Sequence, residues 1–152
     1  MSGRIPRVIG TTEDAIAKAE EEINFCFPPS FRLWLFENNG LSPDWVESIY
    51  PVFDEHDPPK TWDSIVRNYK EAGWAQWIDN FEGYDEPFNF DHLLPFAEVG
   101  NGDCYCFDYS RKRADGETPV VLWSHETGDT EERAETFAEF VEKAKLGEYE
   151  TD

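Results

Sequence analysis

Apolar positions recur along this chain in two rhythms, one close to every third or fourth residue and one close to every second. Ile16, Ala19 and Ile23 share a face of a helix that Thr11 or Thr12 can cap, with Glu20, Glu21 and Glu22 on its wet side. A second helix is predicted in FCFPPSFRLWLFENNG. Pro28 and Pro29 suit its first turn, where a missing N–H costs little, and Phe31, Trp34 and Leu35 form its buried stripe. Asn39 and Gly40 supply residues that tolerate the left-handed conformation ending many helices. Residues 48–53, SIYPVF, have strand character broken or pushed to an edge by Pro51, and 54–59 read as a loop. Thr61 is placed to cap a third helix carrying Trp62, Ile65, Tyr69 and Ala72. Residues 73–91 show neither rhythm and read as irregular, with room for a short helical turn.

The second half is strand-like over 93–99, 104–109 and 119–123, with the polar loop SRKRADGE before the last of these. A closing helix is then signalled by capping-box spacing from Thr136 to Glu139 and by Phe137, Phe140, Val141 and Ala144 at i, i+3, i+4 and i+7, with Gly147 ending it. Helices come first and last and consecutive strands lie between short turns. This order predicts an α+β fold, one domain over 1–152 with an antiparallel-rich mixed sheet flanked by helices. Residues 1–10 read as a loose lead-in and 148–152 as a short acidic tail.

Composition narrows the function classes. Hydrophobic residues are 39% and aromatic ones 16% of 152, enough to close a core in spite of 30% charged residues. Thirty-three acidic residues against 13 basic ones give a formal net charge of −20. Phosphate neutralisation needs clustered Lys and Arg, so neither nucleic acid nor an anionic membrane is an expected partner. A basic protein surface is favoured, because a field of this sign raises its rate of encounter. Three cysteines make no disulfide framework, MSGRIPRVIG lacks the apolar run of a signal peptide, and no segment is apolar enough to span a bilayer. A reducing cytoplasm is therefore the expected setting.

The densest candidate chemistry lies in VGNGDCYCFD. A phosphate loop would need further glycines and a following helix, and a Ca²⁺ loop would need spaced acids, so neither pattern is met. Asn101-Gly102 between two strand-like runs instead signals a hairpin with a type I′ turn. Cys104 and Cys106 fall on one sheet face and with His92 or His125 would supply zinc ligands, but the second ligand pair of a structural site is missing. No cofactor is expected. Among the carboxylates, His125-Glu126 after a strand is the most suggestive pair for acid–base work, but a loop His beside a Glu is far more often a surface or capping residue than a general base. Trp74, Trp77, Phe81 and Tyr84 stand among Asp79, Glu82, Asp85 and Glu86. These rings either close the core or form an interface patch in which aromatics anchor and acids steer.

Taken in order, these motifs resemble the SUKH superfamily, which includes a yeast cell-wall assembly regulator and many bacterial immunity proteins. Pro28, Pro29, Phe31, Leu35, Asn39 and Gly40 match its proline-started helix. Gly102, Asp103 and Asp108 match its turn and strand-closing acid, Pro119, Val120, Trp123 and His125 the next strand, and Phe137, Phe140 and Val141 the closing helix. Phe27 departs from the usual Leu, and 79–91 align with no motif. The resemblance runs from Thr11 to Ala144 and implies an α+β domain that binds protein and does no chemistry. It further implies an immunity protein that neutralises a cognate toxin, often a nuclease. Asp54, Glu55, Asp57, Asp79, Asp85 and Glu86 are the expected steering acids and Trp74 and Trp77 the expected anchors. The alternatives are a regulatory or scaffolding module of the same fold, and a hydrolase or transferase using His125 and Glu126.

Overall fold

The computed structural model describes residues 10–39, 48–55, 58–71, 73–81, 90–99 and 102–148. Two helices open it. In α1 (Glu13–Ile23) Thr12 is the cap, its hydroxyl accepting from the Ala15 N–H, and Asn24 ends the helix in the left-handed conformation with φ of 61°. The predicted stripe of Ile16, Ala19 and Ile23 is buried. Glu20, expected on the wet side, turns inward: its carboxylate accepts from the Phe27 N–H at 2.7 Å and pairs with Arg32 at 2.6 Å.

In α2 (Pro29–Asn38) Pro29 occupies the first helical position, and the cap before it is Pro28, which offers no side-chain hydrogen bond. The helix start is served from far along the chain, because Glu117 accepts from both the N–H and the hydroxyl of Ser30. Phe31 and Leu35 are buried as expected. Asn39 does not adopt the left-handed conformation; it is extended, with φ of −60° and ψ of 124°. Its buried amide instead donates to the Val52 carbonyl and accepts from the Val52 N–H, pairing as a strand residue would. Gly40 lies outside the described residues.

The sheet is a five-stranded meander in the order β1 (Ser48–Ile49), β2 (Leu93–Glu98), β3 (Cys104–Asp108), β4 (Val120–Trp123), β5 (Thr130–Ala134). Every described pairing is antiparallel. β1 is shorter than its sequence run, because Pro51 stops the ladder two residues on. β5, TEERA, is not predicted by the hydrophobic rhythm, since an edge strand with four of five residues off the core lacks alternation. The predicted β2–β3 hairpin is present, but its closing bonds join Val99 to Asp103 and Gly102 to Val99. Three residues thus lie between the closing pair, the loop length that places glycine with positive φ last, as Gly102 at 104°. This replaces the two-residue type I′ turn.

Between β1 and β2 the third helix is also reorganised. Thr61 ends a single turn, α3 (Pro58–Thr61), and Ser64 caps α4 (Ile65–Lys70) by accepting from the Arg67 N–H. Residues expected to be irregular contain α5 (Gly73–Phe81), in which Trp74, Trp77, Ile78 and Phe81 follow helical spacing. At the other end, Thr136 caps α6 (Phe137–Lys145) through the Glu139 N–H, and a Schellman pair, Gly147 N–H to Ala144 and Glu148 N–H to Lys143, closes it.

Side chains alternate across the strands and fill both faces. On the first face Phe31 of α2, Phe96, Phe107 and Phe137 of α6 meet with ring centroids 5.0 to 5.9 Å from Phe31, and Phe96 stacks on Phe107 at 4.3 Å. On the second face Leu93, Cys104, Cys106, Val121 and Trp123 are covered by Trp74 of α5. The lead-in is not loose at its end. Gly10 lies so close to the Phe36 carbonyl that a Cβ would fall 1.5 Å from its oxygen, and the Thr11 N–H donates to Leu35.

Candidate protein-binding surface

Where the β2–β3 and β4–β5 turns meet, four residues form a clamp. Asp103 Oδ1 accepts from the backbone N–H of His125 at 3.0 Å and from its Nδ1 at 2.6 Å. The His125 ring lies 4.7 Å from that of Trp77, and Gly102 fits beneath both because it has no Cβ. Ladder pairing of Cys104 with Trp123 brings Asp103 beside His125, so the contact becomes legible once the β3–β4 register is known. His125 therefore works with Asp103 and not with Glu126, whose N–H is held by the Ser124 hydroxyl while its side chain is exposed.

The clamp fixes a tight turn. Ser124 Oγ accepts from the N–H groups of Glu126 and Thr127, the Ser124 carbonyl accepts from Gly128, and Thr127 Oγ1 accepts from Asp129. Glu126 and Asp129 are thereby presented to solvent, followed by Glu131 and Glu132 on β5 and by Glu135. Arg133 pairs with Glu131 at 2.9 Å and Arg111 with Glu132 at 2.7 Å. Among the described residues no ion pair is formed by Glu126, Asp129 or Glu135. Within 124–135 five carboxylates face one guanidinium, so the sheet ends in an acidic edge. The sequence pattern does not reveal this surface because it does not reveal β5.

The sequence-predicted contacts fare differently. Asp54 is not a surface acid: it is 7% exposed, its carboxylate accepts from the Thr11 hydroxyl at 2.9 Å and its N–H donates to Thr61. Trp74, 4% exposed, is no free anchor; it packs against Trp123 with ring centroids 4.8 Å apart. Trp77 is half-buried against His125, and Glu55 is exposed in a turn. Asp79 belongs to α5, but its side chain lies outside the described residues, as do Asp57, Asp85 and Glu86. Of the family-motif positions, Trp123, Phe137 and Phe140 are in the core, and Asp108 closes β3 by accepting from the Ser110 N–H and hydroxyl.

The two sheet cysteines are inert by position. Burial, helped by the charges of Glu98 and Asp103, pushes the Cys104 thiol up to about 12, and complete burial pushes Cys106 well above the ordinary thiol range. Among the described residues no three His, Cys, Asp or Glu side chains gather as metal ligands, and no helix is long and apolar enough to cross a membrane.

A family model described as SMI1 / KNR4 family (SUKH-1) matches residues 10–143. The chain belongs to the SUKH-1 family. Its match covers every described element of the fold up to the body of α6. No curated protein matches the chain. Membership in SUKH-1 agrees with the α+β architecture and with the ordered motifs from Pro28 to Phe140.

Proposed function

We propose that this SUKH-1 protein is a cytoplasmic immunity protein that binds a cognate bacterial toxin and does no chemistry of its own. The observation that carries the reading is the net charge of −20 together with the exposed carboxylates of the β4–β5 turn and β5. A toxin such as a nuclease must present a basic surface to its substrate. An acidic partner that occupies this surface excludes the nucleic acid, and complementary charge speeds encounter. Glu126, Asp129, Glu131 and Glu132 are the acids of the described surface that would steer it, with Glu55, Asp57, Asp79, Asp85 and Glu86 as further contacts and Trp77 at the margin. The clamped turn supports the role because a rigid acidic edge loses little freedom on binding.

The test is capture from the native cell with the immobilised protein, followed by titration of the captured partner in rising salt. The expected partner is a basic toxin domain silenced one-to-one, whose affinity falls as salt rises from about 0.05 M to about 0.3 M. Glu131→Lys with Glu132→Lys is expected to weaken that complex by about tenfold or more. Capture of a non-toxic partner would transfer the assignment to a regulatory or scaffolding module.

A further inference from the structure

The sheet ends on an open strand, and the pairing of its neighbours fixes which groups β5 turns outward. β4 lies between β3 and β5. The Asp108 N–H donates to the Pro119 carbonyl at 3.0 Å, so every second residue from there, Val121 and Trp123, points its backbone groups at β3. The residues between point at β5, and in agreement the Ser124 N–H donates to the Asp129 carbonyl at 2.9 Å. Thr130 and Glu132 stand opposite Trp123 and Val121, so their own N–H and C=O groups turn away from β4. Among the described residues no strand lies beyond β5, and Thr130, Glu131 and Glu132 are exposed. Two donors and two acceptors are therefore presented along this edge at the spacing of a strand.

An open edge accepts any strand, a second copy of its own chain included, unless something selects. Here the selector is charge. Five carboxylates of 126–135 stand against two guanidiniums, Arg133 and Arg111, even with the pairs to Glu131 and Glu132 counted. Successive side chains project to opposite faces, so an added strand meets Glu131 on one face and Glu132 on the other. Like charges directly opposite each other destabilise a strand pair, and opposite charges stabilise it. A second copy would set acid against acid and is refused. The extra residue at Arg133, where Val120 and Val121 face Ala134 and Glu132, breaks the regular ladder and confines the usable edge to Thr130, Glu131 and Glu132.

We propose that this edge takes a sixth strand, a short extended segment of the protein partner carrying Lys or Arg at alternate positions. Its backbone pairs with Thr130 and Glu132, and its cations meet Glu131 and Glu132. The proposal rests on the reading above, that the acidic edge meets a basic protein surface, and names the element of that surface which makes contact. Backbone pairing gives affinity whatever the sequence, and the carboxylates decide which sequence is admitted. The clamp of Asp103 and His125 holds the turn from which β5 starts, so the edge is formed before the partner arrives.

The probe is a fluorescein-labelled heptapeptide alternating lysine and threonine, titrated with the full chain by fluorescence polarisation. Saturable binding is expected. A peptide of equal charge with prolines in place of the threonines should bind about tenfold more weakly, since it lacks the N–H groups of a strand. Thr130→Pro removes one outward N–H without changing the charge, at an edge position where proline is tolerated, and should also weaken binding about tenfold. Unchanged amide exchange of Leu122 in that variant establishes that β4 and β5 remain paired, and the two peptides make the same decision on the unaltered protein. In the complex, amide exchange of Thr130 and Glu132 should slow. Equal binding of the two peptides, full binding by Thr130→Pro, or no binding of the alternating peptide overturns strand addition. None of these outcomes touches the immunity reading, which falls instead to capture of a non-toxic partner.

Discussion

On one face of the sheet, five phenylalanines from two helices and two strands meet ring to ring. On the other, Trp74 of a single nine-residue helix rests on Trp123, and two thiols fill the space beside them. The first face is stabilised by mass, since each buried phenylalanine removes a large apolar area from water. The second is stabilised by fit. It uses small side chains, Cys104 and Cys106, and at its end a glycine beneath Trp77 and His125, so that α5 can approach closely. A face built on area loses stability in proportion to the atoms removed, whereas a face built on fit is damaged by atoms added.

The largest expected loss lies on the first face. Phe96→Ala removes a ring stacked on Phe107 and in edge contact with Phe137 and Phe140, and is expected to cost about 3–5 kcal/mol in urea unfolding. Next comes addition of one methyl on the second face. Gly102→Ala must hold φ near 104° and place Cβ 3.1 Å from Trp77 and 3.2 Å from His125, for an expected loss of about 1–3 kcal/mol. In the same variant, amide exchange of His125 and Glu126 should quicken while that of Phe107 does not. Equal quickening of both would show that the two faces unfold as one unit.

The smallest effect is on the thiols. At neutral pH only Cys26, which is exposed, should react rapidly with iodoacetamide, and Cys104 and Cys106 should react after unfolding. Unfolded thiols ionise near 9, while the folded Cys104 waits until about 12 and Cys106 beyond the ordinary range. Above about 9 the unfolded state therefore binds fewer protons than the folded one, and stability falls with rising pH. Tyr50, which is buried, and Tyr109, which is partly buried, are also raised and add the same sign above about 10. Urea midpoints measured from about pH 8 to about pH 10.5 should be flat at first and then decline, and less steeply with Cys104→Ala.

The two faces are also unequally legible in the sequence. Ile16, Ala19 and Ile23, Phe31 and Leu35, and Phe137, Phe140 and Ala144 all announce the first face through helical spacing. α5 carries the same spacing in Trp74, Trp77, Ile78 and Phe81, but the sequence offers no capping side chain in Ala72 or Gly73, and acids and aromatics follow that blur the period. β5 gives no signal because its only buried residue is Ala134. The polar roles are hidden for another reason. Asp54, Asn39, Glu20 and Glu117 are fixed by partners 7 to 87 residues away, and no local pattern of charge reveals a hydrogen bond closed across the fold.

The meander and its closing helix have a consequence for how the chain is made. From β2 to β5 each strand pairs with the next along the chain, so these hairpins can form while synthesis continues, at little cost in loop closure, whereas β1 meets β2 only across α3, α4 and α5. Phe137 and Phe140 emerge after all five strands, and until they do, Phe31, Phe96 and Phe107 are without the helix that seals them. A chain stalled before α6 would carry a paired sheet whose aromatic face has α1 and α2 but lacks its last covering helix, leaving an adhesive surface for chaperones and for other nascent chains. Docking of the last helix, and not strand pairing, is then the step that takes this surface out of circulation.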